Sequence, residues 1–510
     1  MNKYFLSLYK KSLVSKLSFL KRKDSEVMDR VGEKESVKLF NFVSRRVVAY
    51  QKFLKENKVA IKKIVNIKDF KKLPLISKEN YIRKHDLADL LPPKEFANAT
   101  TFSATSGSTG EPTFFPRGED QDKNYEFISE IFLTNQLGLS KKKSTLVIIG
   151  FGLGVWIGGI FTYKNFNKLA SKGYKISILP VGPQKDMFLK SLKKFGRLFD
   201  QVILAGYPPF IKDIVDESAG YGIDWAKCNT KILTAAESYS EDFRDYIAKK
   251  IKAKNIFTDF INIYGTVELG TMAHETPLAI LIRRLACKNK DIFKAVFNNS
   301  ARLPTLGQYH PYLVYFEELE GELVGTGVGS SIPLIRYKFA DRGGVISFKE
   351  MVGRLKSVGV DIIKEAAKNG IGKTVLNLPF VYVYERSDLV VNLMGINIYP
   401  EYIKSGLQKS GIEEKVTGKF SMATKNDKNQ DQFLEINVEL KNGEAPSSQL
   451  VKLIENFVVI SLQEKSTEYD YLYKNSSEES RKKITPKVLL FNYEDKTYFA
   501  PGAKQKWVLK

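Results

Sequence analysis

The chain has 510 residues, and its 80 Lys and Arg against 57 Asp and Glu give it a formal charge of +23. This length predicts about two to four domains, and 43% apolar residues with 12% aromatics exclude wholesale disorder. With two cysteines and three histidines, neither a disulfide framework nor a zinc site built from Cys and His is expected. The composition favours a reducing, cytoplasmic compartment.

The positive charge is concentrated at the N-terminal end, where residues 1–100 hold 24 Lys and Arg but only 11 Asp and Glu. This excess leaves nucleic acid, an anionic membrane face and a polyanionic substrate open as partners. Lysines interrupt every apolar run, so no secretory signal is predicted. Apolar residues recur there at helical spacing: Phe5, Leu6, Tyr9, Leu13, Leu17 and Leu20. We expect a basic amphipathic helix packed on the protein's own core, with a membrane surface or a partner as the alternative.

One stretch is long enough to span a membrane, because Ser144–Tyr163 contains no charged residue. Its five glycines disfavour a helix, and it is better described as a strand over Thr145–Ile149 that enters a Gly-rich turn. We therefore expect no membrane-spanning helix there.

Strand-like apolar runs alternate with charged helical stretches, such as Lys185–Phe199 and Ser240–Lys252, through the middle of the chain. This alternation predicts an α/β fold around a largely parallel sheet. The predicted strands are Thr145–Ile149, Lys175–Pro180, Gln201–Ala205, Lys231–Ala235 and Asn255–Tyr264.

The later part of the chain changes pattern twice. Short strands with Gly turns over 313–348 are followed by a lysine-rich helical insert over 349–370. Beyond about residue 385 we expect a small α+β domain. Its predicted elements are a short strand, a helix that begins at Pro400, strands over Phe433–Leu440 and Lys487–Tyr493, and a helix over Ser447–Glu464.

The strongest local signal is the Ser/Thr/Gly run over 105–113, Thr-Ser-Gly-Ser-Thr-Gly-Glu-Pro-Thr. Small hydroxyl residues between glycines let backbone N–H groups and hydroxyls converge on phosphate oxygens. The spacing of a Walker loop is absent. A flexible linker is the alternative interpretation.

This run resembles the phosphate-binding loop of the adenylate-forming superfamily, and within it of the phenylacetate–CoA ligase-like branch. Further segments resemble motifs of that family in the same order. They are GFGLGVWIGG over 150–159, Ala235-Ala236-Glu237, Tyr264-Gly265-Thr266-Val267-Glu268, GELVGTGVGSSIPLIRYKFADRG over 321–343 and ERSDLVVNLMGINIYP over 385–400.

The resemblance implies a large N-terminal adenylate-forming domain of layered sheets and helices and a small, mobile α+β C-terminal domain. The expected boundaries are a basic helical region over 1–100, an adenylate-forming core over 101–385 and a C-terminal lid over 386–510. The implied activity is ATP-dependent formation of an acyl-adenylate from a carboxylic acid. Transfer of the acyl group to a thiol, most simply that of coenzyme A, follows.

The resemblance also implies roles for single residues. Glu268 would bind Mg²⁺ that bridges the phosphates, a role suited to a hard carboxylate oxygen. Tyr264 would lie near the adenine, and Asp341 would accept hydrogen bonds from both ribose hydroxyls. Further ATP or AMP contacts are implied for Thr105, Ser106, Gly107, Ser108, Thr109, Gly110, Ala236, Glu237, Gly265, Thr266 and Arg386.

Other implied roles concern the C-terminal domain and the acyl pocket. Asp388 matches the hinge residue, and Lys504 matches the lysine that stabilises charge on the α-phosphate. Gly395 matches a hairpin that shapes the thiol tunnel. Trp156 and Tyr207 are candidates for the acyl pocket.

Several positions depart from the family pattern. Glu111 stands where most relatives have lysine, and Val267 replaces a hydroxyl residue before Glu268. Glu385, Ala503 and Trp507 also differ from the usual residues. Inserts near 278–300 and 349–378 interrupt the usual spacing. These departures predict a divergent member with an altered substrate.

Two alternatives stay open at this point. Adenylation followed by transfer to a carrier protein, or to an amine or sugar, keeps the first half-reaction and changes the acceptor. A non-catalytic basic binding protein on the same fold is the alternative of another class, although no nucleic-acid module is recognisable. The expected partners are a small carboxylic acid and either coenzyme A or an acidic carrier protein. A homodimer and peripheral membrane contact through the N-terminus are left open.

Overall fold

The computed structural model describes residues 3–104, 113–155, 157–297, 303–384, 391–393, 396–427, 432–474, 476, 478–500 and 507–509. Strands and helices are mixed along these residues, as the α/β prediction requires. The strands are β1 Thr101–Ala104, β2 Phe114–Arg117, β3 Thr145–Ile149, β4 Ile176–Pro180, β5 Gln201–Gly206, β6 Thr230–Ala235, β7 Phe260–Thr266, β8 Gly270–His274, β9 Thr305–Tyr309, β10 Val314–Leu319, β11 Glu322–Gly327, β12 Leu334–Ile346, β13 Phe380–Val383, β14 Val391–Leu393, β15 Ile396–Ile398, β16 Val416–Asn426, β17 Gln432–Leu440 and β18 Lys487–Phe491.

The helices lie before, between and after these strands. They are α1 Lys3–Tyr9, α2 Leu13–Arg22, α3 Ser25–Arg46, α4 Val48–Glu56, α5 Ile67–Phe70, α6 Glu119–Asn135, α7 Ile157–Ser171, α8 Lys185–Phe195, α9 Pro208–Glu217, α10 Glu241–Lys250, α11 Pro277–Lys288, α12 Lys290–Val296, α13 Phe348–Ser357, α14 Ile362–Lys368, α15 Pro400–Leu407, α16 Ser448–Lys465, α17 Thr467–Lys474 and α18 Glu478–Ile484.

One large sheet organises the chain up to residue 383, with eleven strands among the described residues in the order β10-β11-β12-β13-β9-β8-β7-β6-β5-β3-β4. Strands β4, β3, β5, β6 and β7 are parallel, as expected for strands joined by helices. From β8 onward every pairing is antiparallel. The prediction of a largely parallel sheet is therefore correct for one half only, because the strands beyond β7 are joined mainly by short turns and a helical insert.

Two strand predictions need correction. The strand predicted over Asn255–Tyr264 begins only at Phe260. Before it, the side chain of Asp259 accepts hydrogen bonds from the backbone N–H groups of Lys254 and Asn255, which holds a turn. Strand β16 was not predicted, although it pairs with β17 along most of its length.

The N-terminal segment packs on the protein's own core, as predicted, but as two helices instead of one. Helix α1 ends at Tyr9, and Ser12 accepts a hydrogen bond from the N–H of Ser15 at the start of α2. Phe5 and Leu20 are fully buried. Lys16 is also buried, and its Nζ lies 2.7 Å from Glu130 on α6.

The two inserts form one helical layer. Helices α11 and α12 come from the first insert, and α13 and α14 from the second, which was predicted to be helical. Their buried side chains belong to one apolar cluster, which includes Ile282, Val296, Met351 and Ile362. The inserts therefore pack on each other and on β9 and β13, two strands in the interior of the sheet.

The C-terminal elements have a core of their own. Strands β16, β17 and β18 form a sheet whose buried side chains cluster only with residues between Val391 and Val508. This sheet contacts α9 through charges: Lys419 Nζ lies 2.8 Å from Asp213, and Lys441 Nζ lies 3.4 Å from Asp216. The expected boundary near 385 falls among residues that the structure does not describe and stays a prediction.

Among the described residues, no helix is both long enough and apolar enough to cross a membrane. The segment Ser144–Tyr163 contains β3, a turn and the start of α7. This agrees with the expectation from its glycines.

Two buried histidines predict an acid-sensitive core. Burial lowers the pKa of His274 to about 4, and burial together with the neighbouring His274 lowers that of His310 to about 3. Both pKa values lie below the ordinary 6.5, so the unfolded chain binds more protons as the pH falls. The stability that neutral imidazoles contribute is complete above about pH 6.5 and is lost progressively down to about pH 4 and then about pH 3.

We expect His310→Gln to flatten the loss of stability on acidification. Between pH 6 and pH 4.5 the slope of unfolding free energy against pH should fall by about 1 kcal/mol per pH unit. Urea unfolding across this range measures it. His85→Gln, at a partly exposed position beside Tyr81, is the control for replacing a histidine outside the buried core. An unchanged slope in His310→Gln would contradict the prediction.

Candidate active site

The predicted phosphate loop lies between the strands of a short hairpin. Strands β1 and β2 pair from Thr101↔Arg117 to Ala104↔Phe114. Residues 105–112, which the structure does not describe, therefore follow the last residue of β1 and precede β2 in the chain. The backbone N–H of Ala104 donates to the carbonyl of Val155 at 3.0 Å. The hairpin therefore adjoins the Gly-rich turn after β3.

Arg117 ties the base of this hairpin to the end of β7. Its side chain is buried, Nε donates to Ser103 Oγ at 2.9 Å, and Nη2 donates to the carbonyl oxygen of Val267. Val267 immediately precedes Glu268. The strands that flank the predicted loop are thus held next to the residue predicted to bind Mg²⁺.

Two tyrosine hydroxyls form hydrogen bonds with the two acidic residues of the site. The hydroxyl of Tyr264, on β7, donates to Asp341 Oδ2 at 2.7 Å. The hydroxyl of Tyr337, on β12, donates to Glu268 Oε1 at 3.3 Å. The Tyr264 ring stacks on Phe316 of β10, with 6.4 Å between centroids. Tyr264, Glu268 and Asp341 thus lie together at the end of β7, although 73 or more positions separate Asp341 from the other two.

The turn after β6 carries Ala236 and Glu237. Ala236 is exposed and has a φ of +72°, a left-handed conformation that costs a residue with a side chain about 1 kcal/mol or more. The side-chain amide of Asn262, on neighbouring β7, donates to the carbonyl of Glu237 at 3.0 Å. The N–H of Asn262 in turn donates to Glu275, which is buried against Arg244. This chain of contacts fixes the turn beside Tyr264.

Tyr207 faces the same region from the end of β5. Its ring lies 5.3 Å from that of Phe151, edge to face. Burial raises the pKa of Tyr207, a backbone hydrogen bond with Gly152 opposes the shift, and the charge of Glu237 adds to it. Tyr207 therefore lies between the Gly-rich turn and the turn after β6, where the sequence places an acyl pocket.

The remaining predicted site residues lie outside the described part of the chain. They are Thr105, Ser106, Gly107, Ser108, Thr109, Gly110, Trp156, Arg386, Asp388, Gly395 and Lys504. Gly265, which is exposed, and Thr266, whose hydroxyl accepts from the N–H of Leu269 at 3.2 Å, are described at the end of β7.

The described residues can be tested for their fit to a metal that arrives with a ligand. Among them, no group of three or more His, Cys, Asp or Glu residues has a metal-binding arrangement. Mg²⁺ needs only one or two protein carboxylates when substrate phosphates and water fill its other positions. Glu268 at the partly exposed end of β7 fits such a role.

Sequence reasoning missed Arg117 and Tyr337. Tyr337 lies inside a segment that carries a family motif, and Arg117 lies four residues after one, but nothing local distinguishes them from a core tyrosine and a strand-end arginine. Their partners are 150 and 69 positions away, so only the fold reveals the contacts. The one local signal is a charged residue that ends an otherwise apolar strand, Phe-Phe-Pro-Arg.

Comparisons with known proteins agree on the fold. No protein-family model and no curated protein matches the sequence. Crystal structures of 2-hydroxyisobutyryl-CoA ligase in the postadenylation state match it with TM-scores of 0.66 and 0.65, over 97% of this chain and 91% of the ligase, at 14% identity. The thioesterification state of that ligase, with CoA, gives a TM-score of 0.52 over 93% and 88% of the two chains, at 14% identity. The chain therefore has the fold of adenylate-forming enzymes, as its motifs predicted.

The hydrogen bond between Tyr264 and Asp341 can be tested by stability. Tyr264→Phe removes a short bond to a largely buried carboxylate, so we expect it to reduce the free energy of unfolding by about 1.5 kcal/mol. Tyr337→Phe removes the longer bond to Glu268 and is the matched control, with an expected loss below about 1 kcal/mol. Urea unfolding of both variants at pH 7 measures the difference. Equal losses would contradict the ranking by distance.

Proposed function

We propose that this chain is an adenylate-forming ligase that activates a carboxylic acid with ATP. The observation that carries the proposal is the convergence of Glu268 and Asp341, which the sequence resemblance assigns to one nucleotide, at the end of one strand. The hairpin that bears the predicted phosphate loop is anchored at the same place through Arg117. Random placement over a sheet of eleven strands would scatter them.

In the proposed first step, a carboxylate oxygen of the acid attacks the α-phosphorus of ATP and pyrophosphate leaves. Asp341, held by Tyr264 at one oxygen, accepts hydrogen bonds from the ribose hydroxyls, since a carboxylate offers about four acceptor positions. Glu268 would hold the Mg²⁺ that accompanies ATP, and this ion would neutralise part of the phosphate charge. Lys504 stabilises the charge that develops on the α-phosphate.

In the proposed second step, a thiol attacks the acyl carbon of the acyl-adenylate, a thioester forms and AMP leaves. Coenzyme A is the simplest thiol acceptor. The similar ligase structure that contains CoA supports the proposal that a chain with this fold can bind it. Asp388 acts as the hinge between the two steps, and Gly395 borders the thiol path. The acyl pocket includes Tyr207 and Trp156.

A second acceptor is a candidate because the chain departs from the family at Glu111, Val267 and Trp507. Transfer to an acidic carrier protein, or to an amine or sugar, would keep the adenylation step. The basic N-terminal region suits an acidic carrier and coenzyme A equally. The proposed compartment is the cytoplasm, and a homodimer and peripheral membrane contact remain part of the proposal.

We expect pyrophosphate release that depends on ATP and on one class of carboxylic acid in a broad panel.

Asp341→Asn should raise the KM for ATP about 10- to 100-fold, because a neutral amide replaces the acceptor of charge-assisted hydrogen bonds. Asp245→Asn, at an exposed position on α10, is the control and should keep the wild-type KM. Absence of acid-dependent release with every acid, together with salt-dependent binding of nucleic acid, would favour the non-catalytic alternative.

Lys504 has its own test. Lys504→Ala should reduce acid-dependent pyrophosphate release about 100-fold while ATP binding persists, because a charge aimed at the transition state contributes mainly to kcat. Lys510→Ala removes a lysine from the same tail and should leave the rate unchanged. Equal rates for Lys504→Ala and the wild type would remove the assignment.

A further inference from the structure

Four charged side chains are buried together behind the turn that follows β6. Each is at most 5% exposed: Glu241, Arg244, Glu275 and Arg283. Arg244 Nη2 and Arg283 Nη1 donate to the same oxygen, Glu275 Oε1, at 2.7 and 3.0 Å. Arg244 Nε also donates to Glu241 Oε2 at 2.9 Å, and Arg283 Nη1 lies 3.0 Å from Glu241 Oε1. These two arginines and two glutamates therefore form one buried ion network.

The buried ion network is charged at neutral pH. Burial alone would raise the pKa of Glu241, but Arg244 and Arg283 lower it below its ordinary value. Buried ion pairs contribute little net stability, because lost hydration offsets their attraction, and apolar side chains of similar volume often fill such a space equally well. What charged groups add to a core is a fixed geometry, and here that geometry concerns the turn after β6.

The network reaches the backbone of this turn, residues 236–239, by two routes. Arg283 Nη2 donates directly to the carbonyl oxygen of Tyr239 at 2.9 Å. Glu275 Oε2 accepts from the backbone N–H of Asn262 at 3.0 Å, and the side-chain amide of Asn262 donates to the carbonyl oxygen of Glu237 at 3.0 Å. Two carbonyl groups of the turn are thus bound by side chains that the network holds in place.

The turn keeps Ala236 in an unfavourable backbone conformation. Its φ of +72° is one that glycine adopts freely and alanine does not. Such conformations persist only where the surroundings determine them, and they are frequent at ligand sites. Ala236 is exposed, and it follows Ala235, which pairs with Ile263 of β7. The turn therefore borders the end of β7, where Tyr264 donates to Asp341.

We propose that Arg283 and Glu275 are positioning residues that hold the turn after β6 in its left-handed conformation, and thereby preorganise the nucleotide site. The inference rests on the proposed function, in which Ala236 and Glu237 contact the nucleotide. A turn that relaxes must return to the left-handed conformation before it can bind, and this lowers the apparent affinity. Because Arg283 lies on α11, the first insert then contributes to the site.

Arg283→Lys tests the proposal, because an ammonium keeps the charge but loses the planar fork that binds Glu275 and Tyr239 together. Binding of AMP to the full chain is measured by titration calorimetry. We expect the Kd for AMP to rise about 5-fold, the ratio that corresponds to the cost of left-handed alanine. Glycine has no such cost, so in an Ala236→Gly background the same change should raise the Kd by less than about 2-fold.

Arg284→Lys is the matched control. Arg284 is the next residue on α11, and among the described residues its hydrogen bonds go to Glu241 and Asp245, not to the turn. Its replacement should leave the Kd unchanged in both backgrounds. A role of Arg283 in stability alone would weaken AMP binding equally whether residue 236 is alanine or glycine.

Asn262→Ala keeps the test decisive if Arg283→Lys fails to fold. It removes the donor to the Glu237 carbonyl and leaves the buried ion network intact. We expect the same dependence, with weaker AMP binding when residue 236 is alanine and little change when it is glycine. Equal weakening in the two backgrounds, or no weakening in either, overturns the positioning role.

Failure of the proposed function gives a different result. A wild-type chain that binds neither AMP nor ATP overturns that function. Hydrogen exchange of residues 236–239 in the ligand-free chain still tests whether the network holds the turn, and we expect faster exchange there in Arg283→Lys than in Arg284→Lys. Equal exchange in the two variants overturns the positioning role independently of any nucleotide.

Discussion

The pairing of β7 is the constraint on which the site depends. On one side β7 runs parallel to β6, and on the other it runs antiparallel to β8. Loops that follow parallel strands collect at the carboxyl edge of a sheet, where ligands bind in α/β proteins. Because only three residues lie between the end of β7 and the start of β8, the turn between them carries Glu268 directly at this edge. Long strand β12 then brings Asp341 alongside Tyr264.

Much of this arrangement could be predicted, for different reasons at different places. The parallel strands are continuous apolar runs, so their positions follow from the sequence alone, and most boundaries agree within a residue. Asp341 and Glu268 were selected because they stand in motifs with a fixed order. Their proximity could not be predicted from their spacing in the sequence. Tyr264 and Asp341, for example, are 77 positions apart, and their contact depends on how the strands between them are arranged in the sheet.

The parts that could not be predicted depend on tertiary partners. Arg117 looks like any strand-end arginine until Gly329 and Val267, more than 100 positions away, are placed beside it. The order of the antiparallel strands could not be predicted either. The length of a turn or insert between two strands does not reveal which strands pair in the sheet. The N-terminal helix is interrupted at Ser12, although apolar residues keep their helical spacing on both sides. The Ser12 hydroxyl caps the start of α2, and this local hydrogen bond has more effect here than the apolar pattern.

Part of the basic charge has a structural use away from the site. Helix α6 carries three buried acidic residues, Asp122, Glu126 and Glu130. Lysines compensate them: Lys16 of α2 pairs with Glu130, two lysines of α7 pair with Asp122, and Lys172, just after α7, pairs with Glu126 and Glu130. Buried carboxylates require such partners, so Lys16, one of the N-terminal lysines, holds α2 on the core. At Lys16 the N-terminal charge is thus an internal feature of the fold.

Ion pairs between lysines and acidic residues have a different consequence where the C-terminal sheet contacts α9. There Lys419 and Lys441 face Asp213 and Asp216, and the apolar core of the C-terminal elements does not continue into α9. Separating such an interface exposes charges that water solvates well, so the hydration gained offsets much of the lost attraction. Separating an apolar interface of the same area would cost about 25 cal/mol for each Å² exposed, with no such compensation. An interface made of ion pairs can therefore hold one orientation of the C-terminal elements and still be released at a small net cost, as the proposed two-step reaction would require.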